Sequence, residues 1–296
     1  DGSTNSETRI VLEENTFKNL TYFLVPKEYR GLTRQRNYGV DKASETSDMI
    51  AFVDDDTELT PNYFEELVRT FVADKTIFGV GGVALNENSW VLTEPNKQYN
   101  KYHFFQFDKF VYKEGQRNVV RNYLRLQSNL EPGKMPDYSH GRTCGFPLDG
   151  KIYKVDLLIG MSFAFRKIVF DSIQFSSYFE GYGLYEDADF SIRALQFGSN
   201  VINTKVQLNH YHDTSGRPNQ YQYGKMVVRN GWYVWRTKNP TPTFTHQFKW
   251  HSITILLTLI RFSNTFTTHK RKQALTEALG RTVGWWSLIF NKPKDK

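Results

Sequence analysis

Short apolar runs alternate with polar, helix-forming stretches over the first ninety residues of the chain. Met49–Val53 runs directly into three carboxylates, Asp54–Asp56, and Ile77–Ala84 is a second apolar run. Short runs rich in β-branched residues predict buried parallel strands of an α/β sheet. Between the two runs, Thr60 fits a helix N-cap and predicts a helix over residues 62–73.

The last third of the sequence is mainly helical in pattern. Tyr221–Trp235 predicts one helix, which the proline-containing stretch Asn239–Pro242 should end. The apolar run Ile253–Ile260 is too short to span a bilayer and fits a buried or interfacial helix. We therefore expect an α/β domain over residues 1–215, with a variable polar and aromatic insertion at 94–150, followed by a helical extension over 216–296.

The three consecutive carboxylates Asp54–Asp56 are the first candidate for chemistry. Ligands of open α/β sheets bind at the carboxyl ends of strands, where these residues are expected to lie. Adjacent carboxylates repel one another unless a cation lies between them, and Mg²⁺ or Mn²⁺ prefers such oxygen ligands and bridges to phosphates. The alternative is a solvated acidic turn. A phosphate-cradling glycine loop with Lys and Ser/Thr, as in phosphoryl-transfer enzymes, is not found in the sequence.

A second acidic motif and a pair of histidines strengthen this interpretation. Glu186 and Asp187 follow a glycine-rich loop at a predicted helix start. They either stabilise the helix N-terminus through its dipole or place one carboxylate in a cleft as a general base. His210 and His212 alternate at the end of a further apolar run. On a strand they would share one face, and either could reach a metal held by Asp56.

In this order the motifs resemble those of family 2 glycosyltransferases with the GT-A fold, and the resemblance covers nearly the whole chain. The matching stretches are the Asp-Gly-Ser turn Asp1–Thr4, the Gly-x-x-x-x-Arg-Asn-x-Gly-like Arg30–Gly39, the Asp-x-Asp motif Asp54–Asp56, the Gly-x-x-x-Ala-x-Arg strand Leu158–Arg166, and Glu186–Asp187. The resemblance implies a Rossmann-like α/β fold with a mixed, mostly parallel sheet flanked by helices and a helical C-terminal extension.

The resemblance also implies an activity and a set of residues. The activity is an inverting, metal-dependent transfer of a sugar from a nucleotide-sugar donor to a hydroxyl of a glycan or lipid-linked acceptor, in surface polysaccharide or glycolipid synthesis. The enzyme would be of the hexosyltransferase type. The implied residues are Asp187 and Glu186 for catalysis; Asp1, Arg34, Arg36, Asp54 and Asp55 for the donor; Asp54, Asp56 and His212 for Mg²⁺ or Mn²⁺; and Gly160, Met161 and Arg166 on the acceptor side.

The start of the chain departs from the family pattern. Before the Asp1–Thr4 turn, the sequence lacks the family's first strand, first helix and most of its second strand. We therefore expect an N-terminally truncated catalytic domain, which by itself could be inactive. The alternative function is a non-catalytic, degenerate or truncated glycosyltransferase-like binding module.

Charge and cysteine content limit the partners and the compartment. The 296 residues carry a formal net charge of +7. No helix-turn-helix, zinc-finger spacing or RNP-like motif accompanies this charge, so we expect no nucleic-acid partner. An anionic membrane surface or a lipid-phosphate acceptor explains the basicity, and we expect peripheral contact with the inner face of the membrane. The single cysteine, Cys144, excludes an intramolecular disulfide and fits a reducing cytoplasm.

Overall fold

The computed structural model describes residues 1–142, 145–179, 181–212 and 218–294, and Cys144 lies outside them. The helices are α1 Glu7–Glu14, α2 Leu32–Lys42, α3 Tyr63–Ala73, α4 Gln116–Tyr123, α5 Glu186–Ala194, α6 Gln220–Lys238, α7 Phe244–Thr267 and α8 Arg271–Phe290. The strands are β1 Met49–Val53, β2 Thr57–Leu59, β3 Ile77–Ala84, β4 Val91–Leu92, β5 Phe104–Phe107, β6 Phe110–Lys113, β7 Ile152–Val155, β8 Ser162–Arg166 and β9 Ser199–His210.

The central sheet has the strand order β1-β8-β3-β9-β2, and β7 also pairs with β9. Strands β1 and β3 both run antiparallel to β8, and β3 runs parallel to β9. The α/β class and the mixed sheet are therefore confirmed. The expectation of mostly parallel pairing is not, because β8 lies between β1 and β3 and separates two strands that share a direction.

Both apolar runs at the start of the chain form the predicted strands with the predicted bounds. Strand β3 is central and almost fully buried, as its glycine- and valine-rich sequence suggests. Strand β1 instead lies at one edge of the sheet among the described residues, and Val53 is 42% exposed. The expectation that β1 is a buried parallel strand is thus wrong, since its only described neighbour is antiparallel.

Two hydrophobic clusters pack on opposite faces of the sheet. Along β8, Phe163 and Phe165 join the cluster that includes Phe190 of α5, whereas Ala164 joins the cluster that includes Phe71 of α3. This alternation follows from the period of two in a strand. Helices α3 and α5 are therefore fixed on opposite faces, and the packing of Phe190 holds the start of α5 at the sheet edge.

The predicted N-cap of α3 is misplaced by two residues. Asn62 occupies the N-cap position and α3 begins at Tyr63. The hydroxyl of Thr60 donates instead to the carbonyl of Gln207 on β9, at 2.9 Å. Thr60 therefore connects the turn to the sheet.

The C-terminal part is helical, as predicted. Helix α6 contains Tyr221–Trp235 and ends before Asn239–Pro242, and α7 contains the apolar run of residues 253–260. Helices α6, α7 and α8 pack on one another, with Trp235 stacked on Trp250 at a centroid distance of 5.4 Å. No helix within the described ranges combines the length and the apolarity needed to cross a bilayer. The insertion forms a small antiparallel sheet, β4-β6-β5, followed by α4.

Candidate active site

The acidic motif after β1 lies beside the loop before β8. Strand pairing aligns Val53 with Ser162, so the next residue, Asp54, lies beside Met161. The backbone N–H of Asp54 donates to the carbonyl of Met161 at 3.2 Å, and the hydroxyl of Thr57 donates to the carbonyl of Asp54 at 2.6 Å. These bonds fix the backbone of the acidic turn, and the Asp54 side chain remains 38% exposed.

Arg36 of α2 joins the acidic turn to the start of α5. Its Nη2 lies 3.5 Å from Asp54 Oδ1 and donates to the carbonyl of Gly160 at 3.3 Å, and its Nη1 forms an ion pair with Glu186 Oε1. The guanidinium also lies 4.9 Å from the ring centroid of Phe163. Both the Arg36 and Glu186 side chains are buried. Arg36 thus supplies the positive charge between the two acidic motifs.

The two carboxylates at the start of α5 have different surroundings. Glu186 is buried, and burial raises its pKa above the usual value against the opposing effect of Arg36. Asp187 is half-buried, and its Oδ2 accepts from the backbone N–H of Gly160 at 2.9 Å. Burial also raises the pKa of Asp54, again opposed by Arg36. Of the two neighbouring carboxylates, Asp187 is the one with access to solvent.

Gly160 lies between Asp187 and Arg36. Its N–H binds Asp187 and its carbonyl binds Arg36. A Cβ at this position would lie 3.2 Å from both Arg36 Nη2 and Glu186 Oε1. A side chain would therefore crowd the buried ion pair, which explains glycine here without any special backbone conformation.

Asp54, Asp56 and His210 form a group that can hold a divalent cation. One ligand atom from each lies within 4.8 Å of the others, and His210 Nε2 lies 3.3 Å from Asp56 Oδ1. The two carboxylates are ligands that suit Mg²⁺ or Mn²⁺, and the imidazole would complete the group. Asp55 is exposed and is not part of the group.

The structure separates the roles of the two histidines. Their rings lie 4.1 Å apart, although β9 ends at His210 and His212 lies beyond the strand with φ +55°. His210 contacts Asp56, whereas His212 Nε2 lies 2.6 Å from Glu87 Oε1. Glu87, His210 and His212 form a second group of possible ligands that shares His210 with the first. The assignment of His212 as a metal ligand remains a prediction, and it would act through this second group.

Sequence reasoning missed Glu87. This residue follows β3, and β3 runs in the same direction as β1. The carboxyl ends of strands with a common direction lie at one edge of a sheet, so a carboxylate directly after β3 is expected near Asp54–Asp56. The signal was present in Leu85–Glu87 once both strands were recognised.

Two implied donor residues lie near the N-terminus rather than at the acidic turn. The carboxylate of Asp1 accepts from the backbone and hydroxyl of Ser3 and from the hydroxyl of Tyr22. Arg34 donates from Nη1 to the carbonyl of Glu28 at 2.8 Å. Asp1 also lines a cavity beside Gln35 of α2, one residue from Arg36. Their roles in donor binding remain predictions.

Arg166 lies apart from the other implied acceptor-side residues. It is paired with Met49, at the start of β1, whereas Gly160 and Met161 lie at the other end of this strand pair. Its guanidinium donates to the carbonyls of Phe71 and Ile77 at 2.6 and 2.7 Å. Arg166 therefore connects α3 to β3. Its role on the acceptor side remains a prediction.

Two residues at the site other than glycine have a positive φ. Tyr185, directly before Glu186, has φ +72°, and His212 has φ +55°. Side chains other than glycine rarely adopt these values, and such residues cluster at functional sites. Helix α6 supports the first of them, since the Asn230 amide donates to the carbonyl of Leu184 at 2.9 Å.

His140 packs behind the start of α5, stacked on Tyr185 at 4.5 Å, and burial lowers its pKa to about 4. The unfolded chain binds a proton at this side chain near pH 6.5, whereas the folded chain does not. Stability should therefore fall as the pH drops from 6.5 to 4, by about 3 kcal/mol from this residue.

We expect His140→Gln to reduce this loss in the free energy of unfolding between pH 6.5 and pH 4, measured by urea unfolding. His269→Gln, at an exposed position, should not, and an unchanged profile in His140→Gln would contradict the assignment.

The first part of the chain also matches a known family in sequence. The sequence model of the family described as "Glycosyl transferase family 2" matches residues 1–133, which include Arg36 and the acidic turn Asp54–Asp56. No match was found among the curated proteins. The family accounts for the mixed α/β sheet as a GT-A fold and supports glycosyltransferase activity in general. Residues 1–133 are therefore similar in sequence to glycosyltransferase family 2.

Proposed function

We propose that the chain is an inverting, metal-dependent glycosyltransferase of the hexosyltransferase type. It would move a sugar from a nucleotide-sugar donor to a hydroxyl of a glycan or lipid-linked acceptor, in surface polysaccharide or glycolipid synthesis. One observation carries the proposal. The group Asp54, Asp56 and His210 and the half-buried carboxylate of Asp187 lie on two sides of Gly160, connected through its hydrogen bonds and Arg36.

The arrangement suggests how the residues divide the reaction. Asp187 is placed to accept the proton of an acceptor hydroxyl as its oxygen forms a bond to C1 of the sugar. The bond from C1 to the nucleotide diphosphate breaks on the opposite face, which inverts the configuration. Asp54, Asp56 and His210 would hold the cation, which when bound neutralises charge on the diphosphate. The ion pair of Arg36 with Glu186 keeps the start of α5 in place.

We also propose peripheral contact with the inner face of a membrane through the C-terminal helices. Large apolar side chains are exposed there, including Phe266 at 82%, Trp286 at 54% and Phe290 at 86%. The basic run Lys270–Lys272 lies at the start of α8, with Lys270 at the N-cap. Aromatic and basic side chains together suit an anionic lipid surface. Co-sedimentation with anionic vesicles measures this contact, and absence of binding at low salt would contradict it.

The first experiment is a thermal-shift titration of the chain with UDP, GDP and dTDP, with and without Mn²⁺. We expect one nucleotide to raise the melting temperature, and only with the metal, because ligands that bind the folded state stabilise it. Asp56→Ala should abolish that shift by removing a ligand of the cation. Asp171→Ala, at an exposed position away from the acidic turn, is the matched control.

The outcomes separate the proposed enzyme from the alternative binding module. A metal-dependent shift together with transfer of a sugar supports the enzyme. Metal-dependent nucleotide binding without any transfer would favour the non-catalytic module. Equal affinity of the wild-type chain and Asp56→Ala, in the presence and absence of EDTA, would contradict the metal assignment.

A further inference from the structure

A large polar cavity adjoins the start of α5 on the side of the C-terminal helices. Its volume is about 850 Å³, and it is enclosed by α4, residues 138–142 and parts of α6, α7 and α8. Tyr185, two residues before Asp187, forms part of its wall. A molecule in this cavity would therefore contact the residue two positions before the proposed base, and neither the Asp-x-Asp motif nor His210 or His212 contributes to the lining.

Positive charge dominates the lining. Five arginines face a single carboxylate there: Arg117, Arg121, Arg142, Arg261 and Arg281 against Glu277. No aspartate occurs among the described lining residues, so Glu277 is the single acidic side chain there against the five arginines.

Neighbouring carboxylates neutralise only part of this charge. Arg142 forms an ion pair with Glu114 at 2.9 Å, just outside the cavity. Arg261 and Arg281 share Glu277, at 2.7 and 2.8 Å, so one positive charge of that pair remains. Arg117 and Arg121 also line the cavity, and neither forms an ion pair among the described residues. About three positive charges are thus left without a partner charge.

Arg121 of α4 is the most informative of these residues. It is only 7% exposed, and its Nε and Nη2 atoms are buried without a hydrogen-bond partner among the described residues. Burial lowers its pKa to about 10, which still leaves the guanidinium charged at neutral pH. A buried, unpaired charge is strongly unfavourable. An anion that supplies both partners would remove this cost, whereas water alone would leave the charge uncompensated.

We propose that this cavity is the binding site for a phosphate or diphosphate group carried by the acceptor. A phosphate dianion or diphosphate matches the excess charge, whereas one carboxylate would neutralise a third of it. Guanidinium groups suit phosphate oxygens because their N–H donors form paired hydrogen bonds. The proposal rests on the proposed function, since the acceptor hydroxyl would then lie at Asp187. It assigns the substrate class: an acceptor with a phosphate near the hydroxyl that receives the sugar.

The test is calorimetric titration with inorganic pyrophosphate in EDTA, which excludes metal-dependent binding at the acidic turn. We expect the wild-type chain to bind and Arg121→Met to bind at least about tenfold more weakly, because it loses two charged hydrogen bonds. Arg69→Met removes the same charge from an exposed helix face, and Asp56→Ala removes a proposed metal ligand. Both should bind as the wild type does.

Two further arms identify the source of the phosphate. Glycerol 3-phosphate in solution and vesicles of phosphatidylcholine with phosphatidic acid are compared, with pure phosphatidylcholine vesicles as the blank. Binding of the first alone indicates a soluble phosphorylated acceptor, and binding of the second alone indicates a lipid-linked one. If acetate displaced pyrophosphate as effectively as inorganic phosphate does, the site would not distinguish a carboxylate from a phosphate. That result would overturn the assignment of the ligand class.

The result that overturns the site is equal pyrophosphate affinity in the wild type and Arg121→Met, or loss of binding in Asp56→Ala. Arg121→Met should melt no lower than the wild type without ligand, since it removes an unpaired buried charge; a large drop would indicate a structural role. If that variant does not fold, Arg117→Gln at the exposed rim replaces it. The metal-dependent nucleotide shift should survive in Arg121→Met, so failure of that shift alone would count against the proposed function and leave the phosphate site standing.

Discussion

Asp187→Asn should lower sugar transfer by roughly 10²- to 10⁴-fold, the range that a general base contributes, and leave nucleotide binding unchanged. The substitution keeps the size of the side chain. Its amide oxygen can still accept from the N–H of Gly160, the bond that holds Asp187 in the structure at 2.9 Å. An amide cannot take up the proton of the acceptor hydroxyl. The loss should therefore appear in kcat, with the KM for the donor nearly constant.

The measurement is steady-state transfer together with calorimetric nucleotide binding in Mn²⁺. Asp171→Asn makes the same chemical change at an exposed position and should be as active as the wild type. Near-normal turnover of Asp187→Asn would mean that the base lies elsewhere. Weakened nucleotide binding together with lost transfer would indicate a change in the site's shape rather than loss of a base.

Features that depend on local sequence were predictable. Strands β1 and β3 have the predicted bounds because each is an apolar run bounded by polar residues. The start of α5 at Glu186 follows from the glycine-rich loop before it and the acidic first turn. The rings of His210 and His212 lie 4.1 Å apart, but His212 lies beyond the end of β9, so the alternation expected for a strand is not the cause.

Strand pairing was not predictable from the same patterns. The residues of β8 lie more than a hundred positions after β1, and no periodicity in either strand indicates which neighbour it takes. The antiparallel insertion of β8 between β1 and β3 explains one error: β1 was expected to be a buried parallel strand and instead lies at an edge of the described sheet.

Arg36 shows the same limit at the level of one side chain. Its sequence suggests a surface guanidinium or a phosphate contact, yet it is 8% exposed and forms an ion pair with Glu186, 150 residues further along. The alternation that buries Phe163 and the packing of Phe175 create the apolar surroundings of this ion pair. Burial of a charge with its partner is a tertiary property, so the local pattern around Arg36 could not indicate it.

Arg36→Met should lower the free energy of unfolding by about 3–5 kcal/mol, the usual cost of removing one partner of a buried ion pair. Met can keep the contacts with Phe52, Phe163 and Phe175 that now surround the guanidinium. The loss would come mainly from Glu186, which stays buried without a counter-charge. Urea unfolding measures the change, and Arg69→Met, on the exposed face of α3, should alter it by less than about 1 kcal/mol.

Adding Glu186→Gln to Arg36→Met separates charge from packing. The double variant has no buried charge at this position, so it should regain most of the lost stability.

The pH dependence gives an independent check on the single variant. Burial already raises the pKa of Glu186, and loss of Arg36 raises it further, so Glu186 becomes protonated in the folded state as the pH falls. Because the pKa of Glu186 is about 8 with Arg36 present, the deficit of Arg36→Met should shrink as the pH falls toward 8 and stay nearly constant below it. A deficit that does not change with pH above 8 and persists in the double variant would show that Arg36 acts by packing and by its bond to the Gly160 carbonyl, rather than by neutralising Glu186.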